Sequence, residues 1–168
     1  FCGLAHVRLS ILDLSTGQQP MTAQLGNHRA TIAYNGEIYN MPALRRVLEQ
    51  EGVVFKTTSD TEVILMGYLY HGTDYVKQLN GIFAFCIWDE SEKRLYLFRD
   101  RLGVKPLFYT RFDETLIFSS ELKGILSYPN FRPVVDREGL CEIFGLGPAK
   151  TYGKGVFQGV SELLPGHY

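Results

Sequence analysis

The 168-residue sequence lacks long hydrophobic runs and a surplus of charge of either sign. Its longest apolar run, Ile82 to Trp88, is far shorter than the roughly 20 residues that a membrane-crossing helix needs. The formal net charge is -1, so there is no positive excess to attract phosphate backbones or anionic lipid. We therefore expect neither a nucleic acid nor a membrane as partner.

The sequence also lacks paired cysteines and metal-ligand spacing. Its three cysteines, Cys2, Cys86 and Cys141, are far apart and odd in number, which favours a reducing, cytoplasmic location over a disulfide framework. The four histidines are scattered, and no glycine-rich Gly-Lys-Ser/Thr phosphate loop is present. We expect no metal and no cofactor in this chain.

Apolar residues make up 45% of the sequence and charged residues 21%, which is typical of one globular domain with a real core. Apolar positions alternate at Val7, Leu9 and Ile11 and predict a half-buried strand. Further strands are predicted at 29–34, 81–88, 94–98, 107–110 and 116–118, with tight turns between most of them. Strands joined in this way, with a block of helices between them, predict an α+β fold of antiparallel sheets with helices outside.

Two helices are predicted in that block. Asn40 is expected to cap the first, with Leu44, Val47 and Leu48 facing inward. Asp60 is expected to cap the second, whose apolar side includes Ile64. After Pro133, a short helix at 136–144 and a glycine-rich stretch predict an exit segment over residues 133–168.

The segment Tyr34 to Asn40 places Asn35-Gly36 behind a predicted strand. A plain turn before the helix is one interpretation. The other is that the Asn35 amide and the Gly36 N–H converge on one point, where they would stabilise a developing oxyanion in acyl transfer. Glycine would permit the close backbone approach that such a site needs.

Arg8 and Asp60 have ordinary explanations when taken singly, as a surface arginine and a helix cap. Taken together they fit a free amino acid, because a zwitterion needs a cation for its carboxylate and an anion for its ammonium. The segment Arg99 to Pro106 concentrates four charges in a strand-to-turn connection. It is either a polar network that holds a loop or a solvated charged hairpin.

Several uncommon segments occur together in this sequence and carry a resemblance over almost its whole length. The chain resembles the glutaminase domain of class II glutamine amidotransferases, and within them that of glutamine-hydrolysing asparagine synthetases. The segments are Leu4 to Ile11, Gln19-Pro20-Met21, Tyr34 to Asn40, Ser59 to Ile64, Phe83-Ala84-Phe85, Arg99 to Pro106, Ser120-Glu121 and Pro165-Gly166-His167.

The resemblance implies an N-terminal nucleophile hydrolase fold, a four-layer αββα sandwich of antiparallel sheets. It implies hydrolysis of L-glutamine to glutamate and ammonia, with no cofactor in this chain. In the family the ammonia reaches a C-terminal synthetase domain, which uses ATP and Mg to convert aspartate to asparagine. Whether the protein forms a homodimer stays open.

The resemblance also implies roles for individual residues. Arg8 would hold the glutamine carboxylate, and Asn35 and Gly36 would form the oxyanion hole. Glu37 and Asp60 would hold the α-ammonium. The backbone lining the pocket would come from Leu9, Ser10, Ile11 and Leu12.

The main departure from the family pattern concerns the nucleophile, which in the family is an N-terminal cysteine whose free α-amino group serves as base. Here Cys2 follows Phe1, and the residues that the family places between its cysteine and the Leu4 segment are missing. Either the chain begins partway into the domain and Cys2 is an ordinary strand residue, or an internal segment has been lost and Cys2 is the nucleophile. We expect the first.

Two other functions stay open. One is a non-catalytic amidotransferase-like scaffold of a related amide-forming synthetase, which a missing nucleophile would suit. The other is the glutaminase domain of another class II enzyme, because the Arg99 to Pro106 segment is shared with those relatives.

Overall fold

A computed structural model describes residues 1–7, 17–146 and 151–168. The chain divides into two compact units, Phe1–Phe98 and Arg99–Tyr168. Among the described residues, none of the helices combines the length and the apolarity that crossing a membrane requires.

The first unit is built on a four-stranded sheet with the spatial order β1-β2-β3-β4. Its strands are β1 (Met21–Leu25), β2 (His28–Ile38), β3 (Gly81–Asp89) and β4 (Arg94–Arg99). β2 is antiparallel to both β1 and β3. The nine-residue apolar β3 lies inside the sheet, as its continuous hydrophobic sequence predicted.

Two helices cover one face of this sheet. α1 (Met41–Gln50) buries Leu44 and Leu48, whereas α2 (Asp60–His71) is buried on almost every side. A 3-10 segment, Gly72–Gln78, leads from α2 back to β3. The buried residues of α2 share one core with the alternate residues of β2 and β3 that face it, so the helix fixes which face of β2 is covered.

The second unit contains a three-stranded sheet with the order β6-β5-β7. Its elements are β5 (Phe108–Phe112), β6 (Thr115–Ser119), α3 (Leu122–Leu126), α4 (Arg137–Cys141), a π-helical turn (Glu142–Leu146) and β7 (Val160–Glu162). β5 is antiparallel to both neighbours, and Phe108, Ile125 and Val160 form a small core.

These sheets confirm the predicted α+β class with antiparallel strands. Several local predictions were wrong. Residues 1–7 form no strand, Val7 is fully exposed, and Leu9 and Ile11 lie outside the described residues. Val47 is 48% exposed, so only Leu44 and Leu48 of the predicted inward side of α1 are buried.

The predicted exit segment, residues 133–168, contributes a strand to the second sheet just after its glycine-rich stretch. Val160 to Glu162 pair with Thr110 to Phe108 of β5. β1 was not predicted either, although it pairs with five residues of β2 through the tight turn at Gly26-Asn27.

Candidate active site

The predicted oxyanion segment is not a turn, because β2 runs through it to Ile38. Asn35 pairs with Ala84 of β3 and Gly36 with Phe83. On the other side of β2, the pairing with β1 stops at Ile32. The segment 33–38 therefore has a second edge that no strand of the described chain covers.

Side chains occupy two positions along this edge. The Tyr34 N–H donates to Gln19 Oε1 at 2.6 Å, and the Ile38 N–H donates to Asp60 Oδ2 at 3.3 Å. The N–H groups of an antiparallel strand point alternately to its two sides. The Gly36 N–H, two residues from each, therefore points to the same edge and lies between these two donors.

Gly36 is required at this position by the close approach of β3. A Cβ atom there would lie 2.2 Å from the Ile82 carbonyl oxygen and 2.7 Å from Phe83 Cα. Both are backbone atoms, so the strands would have to separate. Glycine thus keeps the N–H at the edge while β2 stays tightly paired on its other side.

Asn35 and Glu37 leave β2 on the face opposite to Tyr34, because side chains alternate along a strand. The Asn35 side chain is half-buried, and Glu37 is exposed. Tyr34 is buried on the α2 face. Asn35 and Glu37 thus approach the edge from one face of the sheet, and Asp60 approaches it from the other.

Asp60 does not cap α2, contrary to the sequence prediction. Ser59 is the N-cap residue, and its hydroxyl accepts from the Thr61 N–H at 3.1 Å. The Asp60 carboxylate turns to β2 instead, where Tyr34 Oη donates to Oδ2 at 2.7 Å. Burial, together with the charge of Asp60, raises the pKa of the Tyr34 phenol, so this group remains a donor.

Glu62 lies in the segment Ser59 to Ile64, and the sequence alone indicated no role for it. Its buried carboxylate accepts from the Lys56 N–H at 2.8 Å and from the Thr57 N–H and hydroxyl at 2.7 Å each. The Ser-x-x-Glu spacing with Ser59 is the signal that could have suggested a capping box. Glu62 thereby fixes the loop that leads into α2 and to Asp60.

The whole chain matches one protein-family model. Residues 1–168 match the model described as "Glutamine amidotransferase domain". The chain belongs to this family. The amidotransferase domain is 49% identical over 162 residues to asparagine synthetase [glutamine-hydrolyzing] 3 of Bacillus subtilis, covering 96% of this chain and 26% of that protein. It is 41% identical over 170 residues to asparagine synthetase [glutamine-hydrolyzing] 2 of the same organism, with 99% and 22% covered.

The amidotransferase domain thus spans about a quarter of the length of these curated relatives. Among solved structures it resembles the glutamine phosphoribosylpyrophosphate amidotransferase of B. subtilis, with a TM-score of 0.57 and 27% identity over 64% of this chain and 25% of that one. This neighbour confirms the predicted N-terminal nucleophile hydrolase fold class.

Cys2 of the amidotransferase domain does not have the surroundings of an activated thiol. It is half-buried, and burial raises its pKa above the ordinary value. The Cys2 thiol also adds to the raised pKa of Cys86 on β3, which burial brings to about 12. A buried thiol with a raised pKa is less nucleophilic at neutral pH than a free one.

The segment from Arg99 to Pro106 forms a polar network that holds a loop, and it is not a solvated charged hairpin. The Arg99 guanidinium donates to the carbonyl oxygens of Lys105, Gly103 and Leu163 at 2.8, 2.7 and 2.5 Å. It also lies 3.1 Å from Glu162 Oε1 of β7, and both side chains are at most 4% exposed. This part of the amidotransferase domain is therefore an internal scaffold of the second unit.

Asp100 stabilises the same loop by accepting hydrogen bonds from its backbone. Its carboxylate accepts from the N–H groups of Leu102, Val104 and Lys105, each at 3.0 Å. An aspartate that gathers three backbone N–H groups holds a turn firmly. Two of the four charged side chains of the motif, Arg99 and Asp100, thus have partners within the second unit.

The rest of the predicted site lies outside the described residues, namely Arg8, Leu9, Ser10, Ile11 and Leu12. Of the described members, Asn35, Gly36 and Asp60 meet at the edge of β2. Two surface depressions are found in the second unit, and none of these residues lines them. The described residues hold no group of three or more His, Cys, Asp or Glu side chains suited to a metal ion.

Proposed function

We propose that the site at the edge of β2 binds L-glutamine and stabilises the oxyanion that forms when its side-chain amide is hydrolysed to glutamate and ammonia in the full-length protein. The proposal rests on the position of the Gly36 N–H at the uncovered edge of β2. It lies between the Tyr34 N–H, which Gln19 binds, and the Ile38 N–H, which Asp60 binds. Asn35 and Gly36 are the proposed oxyanion hole, and Asp60 is the proposed ligand of the α-ammonium. Glu37 is proposed as a second ammonium ligand from the opposite face.

The spacing along the strand agrees with the size of the substrate. Two residues of a strand advance about 6.8 Å, which is the separation from the Gly36 N–H to the Ile38 N–H that Asp60 binds. In an extended glutamine, five bonds of about 1.5 Å place the side-chain oxygen about 6 Å from the α-amino nitrogen. One molecule lying along the edge therefore reaches both groups at once.

The remaining roles follow from the family resemblance. We propose that Arg8 binds the substrate carboxylate and that the backbone at 9–12 lines the pocket. We also propose that Cys2 is structural and is not the nucleophile, because its pKa is raised and its amino group lies in a peptide bond.

For the whole protein, we propose that the ammonia feeds synthesis of asparagine, which the names of the two relatives support. The use of aspartate, ATP and Mg in a synthetase domain is proposed from the family resemblance alone. We take residues 1–168 as the amidotransferase domain, with 133–168 leading toward that synthetase domain. Three free cysteines favour a cytoplasmic location. The solved neighbour is a phosphoribosylpyrophosphate amidotransferase, which makes a phosphoribosyl acceptor the second candidate.

The test is the isosteric substitution Asn35→Asp in the full-length protein, with glutamate release from L-glutamine as the readout. Replacing an oxyanion-hole amide by a carboxylate removes a donor and adds a repelling charge, so kcat should fall at least about a hundredfold. Asn27→Asp is the matched control, because Asn27 is an exposed residue of the β1–β2 turn and should leave kcat unchanged.

Labelling with a glutamine-analogue electrophile and mass mapping of the modified residue identifies the nucleophile in the same protein. Label on Cys2 would overturn its structural role. Absence of both label and glutamate release from the wild-type protein would favour the non-catalytic scaffold.

A further inference from the structure

We infer that Tyr34 and Gln19 are positioning residues that hold the Asp60 carboxylate against the edge of β2 and so set the affinity for the α-ammonium of the substrate. Neither residue is among the predicted ligands. The inference rests on the function proposed above, since it assigns to Asp60 the ammonium of an amino-acid substrate.

Tyr34 acts on Asp60 directly. Its phenol oxygen donates to Oδ2 at 2.7 Å, and the Ile38 N–H donates to the same oxygen at 3.3 Å. Both donors belong to β2, and together they fix Oδ2 of the Asp60 carboxylate. They leave Oδ1 as the acceptor that can turn to a ligand.

Gln19 joins the same two elements by a second route. Its Oε1 accepts from the Tyr34 N–H at 2.6 Å, and its Nε2 donates to Thr61 Oγ1 at 3.4 Å. Thr61 follows Asp60 in the first turn of α2 and is buried. One amide side chain therefore spans the uncovered edge of β2 and the start of the helix.

The two connections together determine where the carboxylate lies along the edge. α2 packs on β2 through apolar contacts, which are non-directional and so leave the carboxylate some freedom along the strand. Directional hydrogen bonds from Tyr34 and Gln19 remove that freedom. Displacing a charged ligand group by about 1 Å is enough to weaken binding and turnover substantially.

The experiment compares two substrates in the full-length protein: L-glutamine and glutaramate, its analogue without the α-amino group. Tyr34→Phe removes the phenol oxygen alone, and Gln19→Met keeps the side-chain length without the amide. Each should lower kcat/KM for L-glutamine about tenfold, mainly through KM. Each should change kcat/KM for glutaramate less than twofold, because that analogue has no ammonium for Asp60.

Tyr39→Phe is the matched control, since Tyr39 is 56% exposed and lies just beyond the end of β2. It should leave both substrates unaffected. In a protein that already carries Asp60→Asn, adding Tyr34→Phe should cost less than a further twofold. If turnover is too slow to measure, calorimetric binding of the two compounds gives the same comparison.

An equal loss for both substrates in Tyr34→Phe and Gln19→Met would show a general structural role and overturn the inference. Full activity of both variants would overturn it as well. A different result would contradict the proposed function itself. If Asp60 does not bind the α-ammonium, Asp60→Asn will leave the affinity for L-glutamine unchanged. A strong effect of Asp60→Asn with none from Tyr34 or Gln19 would overturn this inference alone.

Discussion

Replacing Arg99 by methionine tests whether the second unit depends on one buried cation. The guanidinium donates to three carbonyl oxygens and pairs with Glu162, and the two side chains are 4% and 1% exposed. Methionine has a similar length and no charge. The substitution therefore leaves the volume nearly filled but removes every donor.

The expected loss of stability follows from the buried groups that lose their partner, namely the Glu162 carboxylate and three carbonyl oxygens. Removing one partner of a buried ion pair costs about 3–5 kcal/mol, because the remaining charge stays buried without compensation. The carbonyls of Gly103, Lys105 and Leu163 lose donors as well. At 1.36 kcal/mol per factor of ten, 3 kcal/mol corresponds to about a 150-fold change in the local opening equilibrium.

Amide hydrogen exchange of the full-length protein measures this opening locally. The N–H groups of Leu163 and Gly166 bond to the carbonyl oxygens of Leu107 and Asp100 at 2.8 and 2.9 Å, so both report on the segment that Arg99 holds. Their protection should fall about a hundredfold or more in Arg99→Met. Arg132→Met, at an exposed position, is the control.

Protection of Leu163 and Gly166 within threefold of the wild-type values would refute this reasoning. It would mean that water or a rearranged loop satisfies the carboxylate of Glu162 at little cost.

Two further predictions concern the first unit and the cysteines. Gly36→Ala should destabilise the protein by about 1–3 kcal/mol, because the added methyl group meets the β3 backbone at 2.2 Å. A melting temperature equal to that of Gly145→Ala, where none of the described residues lies within 4 Å of the added atom, would contradict it. Iodoacetamide should modify the exposed Cys141 first and Cys86 last. Because burial raises the pKa of Cys2, its alkylation rate should still rise above pH 9; a plateau below pH 8 would show an activated thiol.

Periodicity predicted the central elements of the fold. β3 and β4 were found to within one residue, because each is a short run of apolar and aromatic residues bounded by turns. β1 and β7 were missed for different reasons. Residues 21–25 do alternate apolar and polar, and Met21, Ala23 and Leu25 pack against the core, but the alternation spans only five residues. β7 has three residues and is a strand only because it pairs with β5, which its own sequence does not encode.

The candidate site was predicted less completely than the fold. Residue chemistry singled out Asn35, Gly36 and Asp60, but the sequence could not indicate that β2 continues through them or that Ser59 takes the cap. Asn-Gly usually favours a turn. Pairing with β3 overrides that preference here, since Gly36 allows a backbone approach that any other residue would block.

The contacts that organise this edge also explain why Gln19 and Tyr34 escaped sequence reasoning. Their hydrogen bonds join residues 15, 26 and 42 positions apart, so no local pattern contains them. Each residue also has an ordinary local explanation, as a polar loop side chain and as a core tyrosine. Only the folded chain shows that Gln19 and Tyr34 both converge on the start of α2. A strand edge that presents donors every second residue needs such side chains, because its N–H groups must be satisfied without closing the edge to a ligand.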